Sequence, residues 1–577
     1  MPDPAAATSP SASPASLPLD AAHVAALLDE IGRRMDLGGE SPFKTRAYFS
    51  AAENLLAHPV PLAQVVAQGK LKTIPGVGEA IAEKIIKLHK TGTHPTLDFL
   101  REQFPAGVLQ LMSIPGLGPK KAAALYQSLK IASLVDLEAA CLAGKLAVEK
   151  GFGAKLQAKI LDSLAFEKKN VGLVRMDAGH ARAHAAAHAI RQRHPTIKEA
   201  IPAGDVRRGC EVCGPVELVV VLDDTDDDAS IESSPDFRIT VTTAASLGAA
   251  MLFATGSEAH VTALKEIARA KGMELTPNGL QSSGDVLPCA SEAEIYALLG
   301  LPYIEPELRE GRGEIQRALN AAWPRLIEDK DVRGILHCHT VFSDGSNTLE
   351  EMAEATRTLG YGYFGVCDHS QSAAYAGGMR IEKVNAQHAL ADELNRGYAG
   401  KHFRIFKGVE SDILEAGALD YPDEQLDQFD FIVASVHSRF QLDRKTQTAR
   451  IVNAVSHPRT TILGHPTGRL LLAREPYDVD MDAVLKACGE HGVAVEINAD
   501  PHRLDLDWRL HQRALELGCL LAINPDAHDT AGLRNQKWGV INARKGGVEP
   551  GRVLNCMDLG TIAKHFERRK EIARGKR

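Results

Sequence analysis

The C-terminal half of the sequence alternates short apolar segments with longer amphipathic stretches, and few folds are compatible with that order. Seven apolar segments of strand length follow Asp331. The stretches between them are suited to helices, which parallel strands need as connections. The pattern therefore predicts an α/β barrel over residues 331–577. In chain order the segments are GILHCHT, YFGVCDHS, FRIFKGVE, FIVASVH, TTILGHP, VAVEINA and LLAINPDAH.

Six of these segments carry a His, Asp or Glu at or just beyond their C-terminal ends, and VAVEINA is the exception. Strand ends of a barrel meet at one rim, so these side chains are expected to lie together. His337 and His339 are two residues apart and should point to the same face of a strand, and Asp526 and His528 repeat that spacing. With Asp344 in the loop after the first strand, the candidate metal ligands are His337, His339, Asp344, His369, Glu410, His437, His465, Asp526 and His528.

The residue types of this set indicate the chemistry of the site. Imidazoles combined with carboxylates suit Mn²⁺, Zn²⁺ or Fe²⁺ better than Mg²⁺, which prefers oxygen ligands and water. Nine ligands exceed one tetrahedral site and predict two or three divalent ions, with a carboxylate such as Glu410 able to bridge two of them. Clustered divalent ions lower the pKa of water and stabilise charge on the attacking and leaving oxygens of a phosphoester. The set predicts phosphoester hydrolysis.

A second signal is a repeat in the N-terminal part of the chain. The segments IPGVG, containing Gly76 and Gly78, and IPGLG, containing Gly116 and Gly118, each precede a Lys-containing helical stretch. A Gly-rich turn that opens a helix presents backbone N–H groups without side-chain obstruction, which suits phosphate. These segments resemble helix-hairpin-helix motifs, and the resemblance implies sequence-independent contacts with the DNA backbone.

Composition limits the other possibilities. The formal charge of −8 leaves no basic field over the whole chain, so nucleic-acid binding must be local. Nine scattered cysteines indicate reduced thiols and a cytoplasmic protein. No stretch reaches the roughly 18 apolar residues of a membrane helix, so no membrane association is expected. Residues 1–18 are almost all Ala, Pro and Ser and are predicted to be a disordered tail.

The motifs HCHTVFSDG, CDHS, GVESDI, SVHS, GHPTGR and NPDAH resemble those of the PHP (polymerase and histidinol phosphatase) superfamily. The resemblance implies a distorted (βα)7 barrel with a trinuclear centre. Its catalytic core would be His337, His339, Glu410 and Asp526 around one ion; the second ion would take Asp344, His369 and His528, and the third Glu410, His437 and His465. Arg439 and Arg469 follow ligand-bearing motifs and are candidates for binding substrate phosphate.

The middle segment, an α+β region from about Val171 to Leu326, resembles the palm and thumb of X-family DNA polymerases. GDVRRG, containing Arg208, is similar to that family's phosphate-contacting strand turn. Nucleotidyl transfer needs carboxylates that hold two Mg²⁺ ions. The expected Asp-x-Asp is replaced by Pro215-Val216-Glu217, and the third Asp position holds Arg238, unless a misplaced gap makes Asp236 the third carboxylate. Loss of polymerase activity is therefore predicted.

The nearby acidic run, Asp223 to Asp228, is interpreted as a solvated loop rather than a metal site.

Together these observations predict a multidomain protein. The chain resembles a bacterial X-family DNA polymerase with a C-terminal PHP domain. The resemblance implies 3′→5′ exonuclease, 3′-phosphatase or abasic-site endonuclease activity in DNA repair. The expected substrate is double-stranded, gapped or nicked DNA, and the expected state is a monomer. Lys84 lies where such proteins form a Schiff base with an abasic sugar, but a phosphate contact is favoured because Ala80 replaces the neighbouring family lysine. The alternatives are an active gap-filling polymerase with a PHP nuclease, a histidinol-phosphatase-like enzyme, and a non-catalytic DNA-binding scaffold. The predicted regions are a tail (1–18), a lyase-like helix-hairpin-helix domain (19–100), a second helix-hairpin-helix region (101–170), the palm and thumb (171–326) and the PHP domain (331–577).

Overall fold

The computed structural model describes residues 18–58, 60–222, 233–234, 237–282, 285–287, 289–320 and 325–575. Most of the predicted tail, the acidic run at 223–228 and Asp236 lie outside these residues. The chain forms two compact units, one up to Val171 and one from Gly172 onward. Within the described residues, no helix is long and apolar enough to cross a bilayer.

The first unit is all helical in the part of the chain that the structure describes. Its helices follow the 3.6-residue period, as in α4, where Ile81, Ile85 and Leu88 are buried on one face. The helices are α1 (Ala21–Leu37), α2 (Pro42–Ala57), α3 (Leu62–Ala67), α4 (Glu79–Thr91), α5 (Pro95–Gln103), α6 (Ala106–Leu111), α7 (Pro119–Leu129), α8 (Leu134–Leu142), α9 (Lys145–Val148) and α10 (Gly153–Lys169).

The two IPGxG turns have the geometry that their glycines permit. Gly76 and Gly116 have φ of +77° and +92°, a region in which a side chain would be strained. Gly78 and Gly118 are the residues immediately before α4 and α7, and neither helix has a side-chain cap. The first turn of each helix therefore keeps its N–H groups free of an N-cap side chain.

The second unit begins with a mixed α+β region. A three-stranded sheet has the order β2-β4-β5, a second sheet has the order β6-β7-β8, and β1 pairs with β3. The strands are β1 (Val174–Arg175), β2 (Glu199–Pro202), β3 (Val212–Cys213), β4 (Val216–Leu222), β5 (Phe237–Thr243), β6 (Met273–Thr276), β7 (Gly279–Ser282) and β8 (Asp285–Leu287). The helices are α11 (Met176–Arg193), α12 (Gly204–Arg207), α13 (Leu247–Thr255), α14 (Glu258–Ala270), α15 (Glu292–Leu298) and α16 (Glu314–Asn320).

A seven-stranded parallel sheet follows, in the order β15-β14-β13-β12-β11-β10-β9, and this is the predicted (βα)7 barrel. Its first and last strands meet at a bridge between Cys338 and Ala527, which nearly closes it. The strands are β9 (Gly334–Cys338), β10 (Tyr363–Val366), β11 (Arg404–Asp412), β12 (Phe431–Ser435), β13 (Ile462–Leu463), β14 (Ala494–Asn498) and β15 (Leu521–Asn524). The helices are α17 (Leu349–Thr358), α18 (Ile381–Gly397), α19 (Asp423–Leu426), α20 (Arg444–Ser456), α21 (Met481–His491), α22 (His511–Glu516), α23 (Gln536–Lys545) and α24 (Leu559–Ala573).

The mixed region packs directly on the barrel within this unit. Buried Glu211 accepts a hydrogen bond from Trp508 Nε1 at 2.9 Å and one from Arg509 Nη1 at 2.6 Å. Lys545, on α23, donates to the carbonyl of Arg208 at 3.0 Å and to Glu310 at 2.5 Å. Charge-assisted bonds of this kind fix the loop at residues 505–510 against the mixed region.

Candidate metal centre and its surroundings

The structure brings all nine candidate metal ligands together at the C-terminal ends of the barrel strands. Their ligand atoms form four overlapping groups, each with all atoms within 4.8 Å of one another. The groups are His339, Asp344, His369 and His528; His337, Glu410 and His465; His337, His339 and Asp526; and His369, Glu410 and His437. This grouping adds His339 to the predicted second set and divides the predicted first and third sets over two groups each.

Glu410, at the end of β11, is the common member on which the imidazoles converge. Its carboxylate lies 2.9 Å from His465 Nε2, 2.9 Å from His369 Nδ1 and 3.1 Å from His437 Nε2. His337 Nε2 is 3.3 Å away. Two carboxylate oxygens that face four imidazoles have the arrangement of a ligand bridging two ions.

Three of the ligands have an unusual backbone. His337, His465 and Asp526 have φ of +55°, +22° and +51°, a region that L-residues seldom occupy. At His337 the pairing of β9 with β10 also shifts register, so the strand alternation that was expected to align His337 with His339 is interrupted. Their rings nevertheless lie 5.4 Å apart, because the irregular backbone turns both towards the centre. Strain of this kind is found mainly where function requires a fixed side-chain position.

The donor atoms fit metal ions. Buried ring nitrogens of His337 (Nε2), His339 (Nδ1) and His369 (Nδ1) form no hydrogen bond of suitable geometry among the described residues, although those of His337 and His369 face the Glu410 carboxylate. An unpartnered buried nitrogen is costly unless a cation or another group binds it. Burial, together with the nearby rings of His369 and His528, lowers the pKa of His339 to about 3, so this imidazole is neutral and has a lone pair to offer.

The acidic members stay ionised despite burial. Burial alone would raise the pKa of Glu410, but the charges of His437, His369 and His337 hold it well below its ordinary value. For Asp526 burial acts in the same direction, and His337 and His339 overcome it, so its pKa is also well below the ordinary value. Ionised carboxylates among imidazoles form a site of high cation affinity.

Further carboxylates hold these ligands in place, and the main one lies in VAVEINA, the segment without a candidate ligand at its end. Glu496, on β14, is fully buried and accepts from His337 Nδ1 at 2.5 Å and from the His465 backbone N–H at 2.7 Å. Asp412 accepts from His437 Nδ1 at 2.6 Å. Carboxylates behind ligating histidines fix their tautomer and orientation. VAVEINA has no ligand at its end, as the sequence indicated, but it contributes this supporting carboxylate from within the strand.

The two predicted phosphate-binding arginines differ in their surroundings. Arg439 is about half exposed and contacts exposed Glu415 at 2.7 Å, so it is available to a ligand at the rim. Arg469 is buried, and its guanidinium donates to the Arg503 carbonyl at 3.0 Å, to Asp507 at 2.7 Å and to the Leu504 carbonyl. These bonds leave Arg469 engaged with the protein and favour a structural role over the predicted substrate contact.

The predicted phosphate-binding residues of the other regions each have their own surroundings. Arg208 contacts Asp205, Glu310 at 3.1 Å and the Thr255 carbonyl. In the first unit, Lys84 lies on α4 and its Nζ is 3.3 Å from the Ala80 carbonyl. Gly116 and Gly118 line a groove of that unit together with Arg46, Lys120 and Lys121.

Comparison with known proteins agrees with this architecture. The chain matches the PHP domain over residues 336–500, the DNA polymerase beta thumb over 250–310, a helix-hairpin-helix domain over 20–94 and a SAM-like helix-hairpin-helix tandem over 108–165. Barrel and metal-binding constellation together define a metal-dependent phosphoesterase of the PHP class, and the helix-hairpin-helix and thumb domains indicate DNA binding.

Among curated proteins, the chain is 33% identical to the "DNA polymerase/3'-5' exonuclease PolX" of Bacillus subtilis (strain 168), over 94% of this chain and 98% of that protein. It belongs to the bacterial PolX family. Probable phosphatases are similar over the barrel: one of Thermoanaerobacter sp. (strain X514) is 29% identical over 29% of this chain and 69% of its own length, and one of Vibrio campbellii is 31% identical over 33% and 76%.

Proposed function

We propose that this protein is a DNA-repair nuclease that hydrolyses phosphodiesters at 3′ ends, in the 3′→5′ direction, with its barrel centre. The observation that carries the proposal is the convergence of nine His, Asp and Glu side chains, with unpartnered buried nitrogens, at one barrel rim. The printed name of the Bacillus subtilis relative includes a 3′-5′ exonuclease. The proposed substrates are gapped and nicked duplexes, and the proposed state is a monomer.

Mn²⁺ or Zn²⁺ ions, two or three in number, would be held by the four groups, with Glu410 shared between two of them. Such ions supply a water nucleophile at neutral pH and stabilise negative charge on the reacting phosphate. The chain's own contribution is to fix the ligands: Glu496 orients His337, and Asp412 orients His437.

The polymerase region is proposed to have lost its chemistry. Glu217 and Arg238 occupy paired positions of β4 and β5, and Arg238 Nη1 lies 3.4 Å from the Glu217 carboxylate. The cation therefore stands where a third carboxylate would be needed, and it neutralises the one that remains. Arg207 is similarly engaged, with both terminal nitrogens on the Glu292 carboxylate at 2.6–2.8 Å. These described residues therefore offer no free pair of carboxylates to bind the metal ions of a nucleoside triphosphate.

DNA binding is assigned to the helix-hairpin-helix elements. The first turn of α7 carries Pro119, Lys120 and Lys121 with no acidic residue, whereas that of α4 carries Glu79, which pairs with Lys72. Because an anion prefers a helix N-terminus without a competing carboxylate, the turn at Gly116 and Gly118 is the stronger candidate for the DNA backbone.

The test uses the purified full chain with Mn²⁺ on a gapped duplex with a 5′-labelled primer, with and without dNTPs. We expect the primer to shorten and never to extend, and we expect Asp526→Ala to reduce shortening by at least about 100-fold. Asp392→Ala, which removes an exposed carboxylate of α18, is the control and should act like the wild type.

Each alternative has its own readout in the same experiment. Primer extension would contradict the proposed loss of polymerase activity and leave the nuclease proposal intact. Hydrolysis of histidinol phosphate without primer shortening would identify a small-molecule phosphatase. Absence of both, with no Mn²⁺ bound, would favour a non-catalytic DNA-binding scaffold.

A further inference from the structure

Arg503 lies beside the metal centre, in the loop after β14, and no sequence motif singled it out. Its Nε is 3.5 Å from Asp526 Oδ2, and 19% of the side chain is exposed. Among the described residues it is the one Lys or Arg that pairs with any of the nine candidate ligands. Its guanidinium donates no hydrogen bond within that part of the chain. Its nitrogens are also not among the fully buried unpaired atoms, so they retain some accessible surface. The side chain thus keeps partial contact with solvent at the rim.

The loop that carries Arg503 is held from behind. The Arg469 guanidinium donates to the carbonyls of Arg503, at 3.0 Å, and of Leu504. The backbone N–H of Arg503 donates to the Asp500 carbonyl at 2.8 Å, and Leu504 has φ of +41°. The bonds from Arg469 and the positive φ at Leu504 hold the backbone from which the Arg503 side chain starts, in advance of any ligand.

The two arginines therefore have different roles. Arg469 uses Nε, Nη1 and Nη2 for hydrogen bonds within the protein. The Arg503 guanidinium donates no hydrogen bond among the described residues and lies next to the Asp526 carboxylate. A phosphodiester carries one negative charge and gains a second as water attacks, so it is recognised best by a fixed guanidinium that retains free donors. Exposed Arg439 lacks such fixation, since its partner Glu415 is itself exposed.

We propose that Arg503 binds a non-bridging oxygen of the phosphate at the metal centre, and that Arg469 is a positioning residue acting through the Arg503 and Leu504 carbonyls. This inference rests on the proposed phosphoesterase function and names the residue that recognises its substrate group. It transfers the predicted phosphate contact from Arg469 to a residue 34 positions later in the chain.

The experiment uses the full chain loaded with Mn²⁺ and the variants Arg503→Gln, Arg503→Lys and Arg469→Gln, with Arg513→Gln as the control. Arg513 lies on α22 and pairs with exposed Asp482. The measurements are kcat and KM on a 3′-recessed duplex, the Mn²⁺ content, and the dissociation constants of the duplex, inorganic phosphate and dTMP.

We expect Arg503→Gln to lower kcat/KM about 10- to 100-fold and to weaken phosphate and dTMP by a similar factor, because each charge-assisted bond contributes at that level. Its Mn²⁺ content and its affinity for the duplex should equal those of the wild type. Arg503→Lys should restore part of the phosphate affinity, since the charge returns without the planar donor pair. Arg469→Gln should show the same defects in weaker form, and Arg513→Gln none.

Two results would overturn the proposal. One is unchanged phosphate binding in Arg503→Gln; the other is a loss of Mn²⁺ in parallel with activity, which would show that Arg503 acts only by holding Asp526. Failure of the proposed function gives a different result. A wild-type protein that leaves DNA intact, yet binds phosphate more tightly than Arg503→Gln does, would keep Arg503 as the phosphate residue of an enzyme for another phosphoester.

Discussion

Replacement of Glu496 by Gln tests how far the centre depends on its supporting shell. The Glu496 carboxylate faces donors on each side: His337 Nδ1, the His465 backbone N–H and Asn524 Nδ2, at 2.5, 2.7 and 2.9 Å. A Gln at this position keeps the volume but must direct its NH₂ group at one of these donors. That contact is repulsive, so His337 or the backbone of His465 has to move.

The expected magnitude follows from the role of such carboxylates. Loss of a carboxylate behind a ligating histidine costs about 10- to 100-fold in metal affinity or activity, or about 1.4 to 2.8 kcal/mol. Glu496 supports two ligands at once, so we expect the upper end of this range. The assay is a Mn²⁺ titration of the metal-depleted full chain, followed by primer shortening at each concentration.

The control is Glu490→Gln on α21, an exposed carboxylate 3.9 Å from Lys486. It should give the wild-type Mn²⁺ curve. A shift of less than about threefold in Glu496→Gln, with an unfolding midpoint equal to that of the wild type, would refute the argument that this carboxylate orients the ligands.

Three further predictions concern stability. Burial would raise the pKa of Glu292, but the hydrogen bonds from Arg207 and the charge of Arg309 lower it from 4.5 to about 2. The stabilisation from the ionised carboxylate is therefore complete above pH 4.5 and is lost as the pH falls through 2, a loss of roughly 3 kcal/mol. Denaturant unfolding curves recorded across that pH range should show a smaller loss in Glu292→Gln. Gly107→Ala should destabilise the first unit by about 1–3 kcal/mol, because the added Cβ would lie 2.0 Å from the Ala132 carbonyl oxygen. Gly397→Ala is the control and should leave stability unchanged, because nothing lies within 4 Å of its added Cβ. Calorimetric melting compares the two variants with the wild type. Glu211→Gln should cost about 1–3 kcal/mol by weakening the bonds from Trp508 and Arg509, measured from tryptophan fluorescence in urea; an unchanged midpoint would mean that this contact does not hold the loop.

The barrel and the positions of its nine candidate ligands could be predicted because both depend on local patterns. A His or Asp at the end of an apolar strand is placed at the rim by the topology alone, whatever the rest of the sequence does. His337 shows the limit of that reasoning. Strand alternation predicts where its side chain points, but the structure reaches the same place through a positive φ and a register shift.

Glu496 and Arg503 could not be predicted in the same way. Glu496 lies within a strand that reads as apolar, and its role depends on His337, which is 159 residues away in sequence. Arg503 and Arg469 both follow strand-like segments, and only the path of the loop decides which guanidinium is consumed by carbonyl groups and which is left free. Such pairings over long sequence distances leave no periodic signal.

The contact between Glu211 and the loop at Trp508 and Arg509 bears on how such a chain can evolve. The same loop includes Asp507, which binds Arg469, and Arg469 in turn holds the carbonyl of Arg503 at the rim of the centre. Glu211 is thus linked through this loop and Arg469 to the backbone of Arg503, so a change in the mixed region can reach the metal centre of the barrel. Selection on the barrel therefore also acts on the residues of the mixed region that hold this loop, whatever the state of the polymerase site.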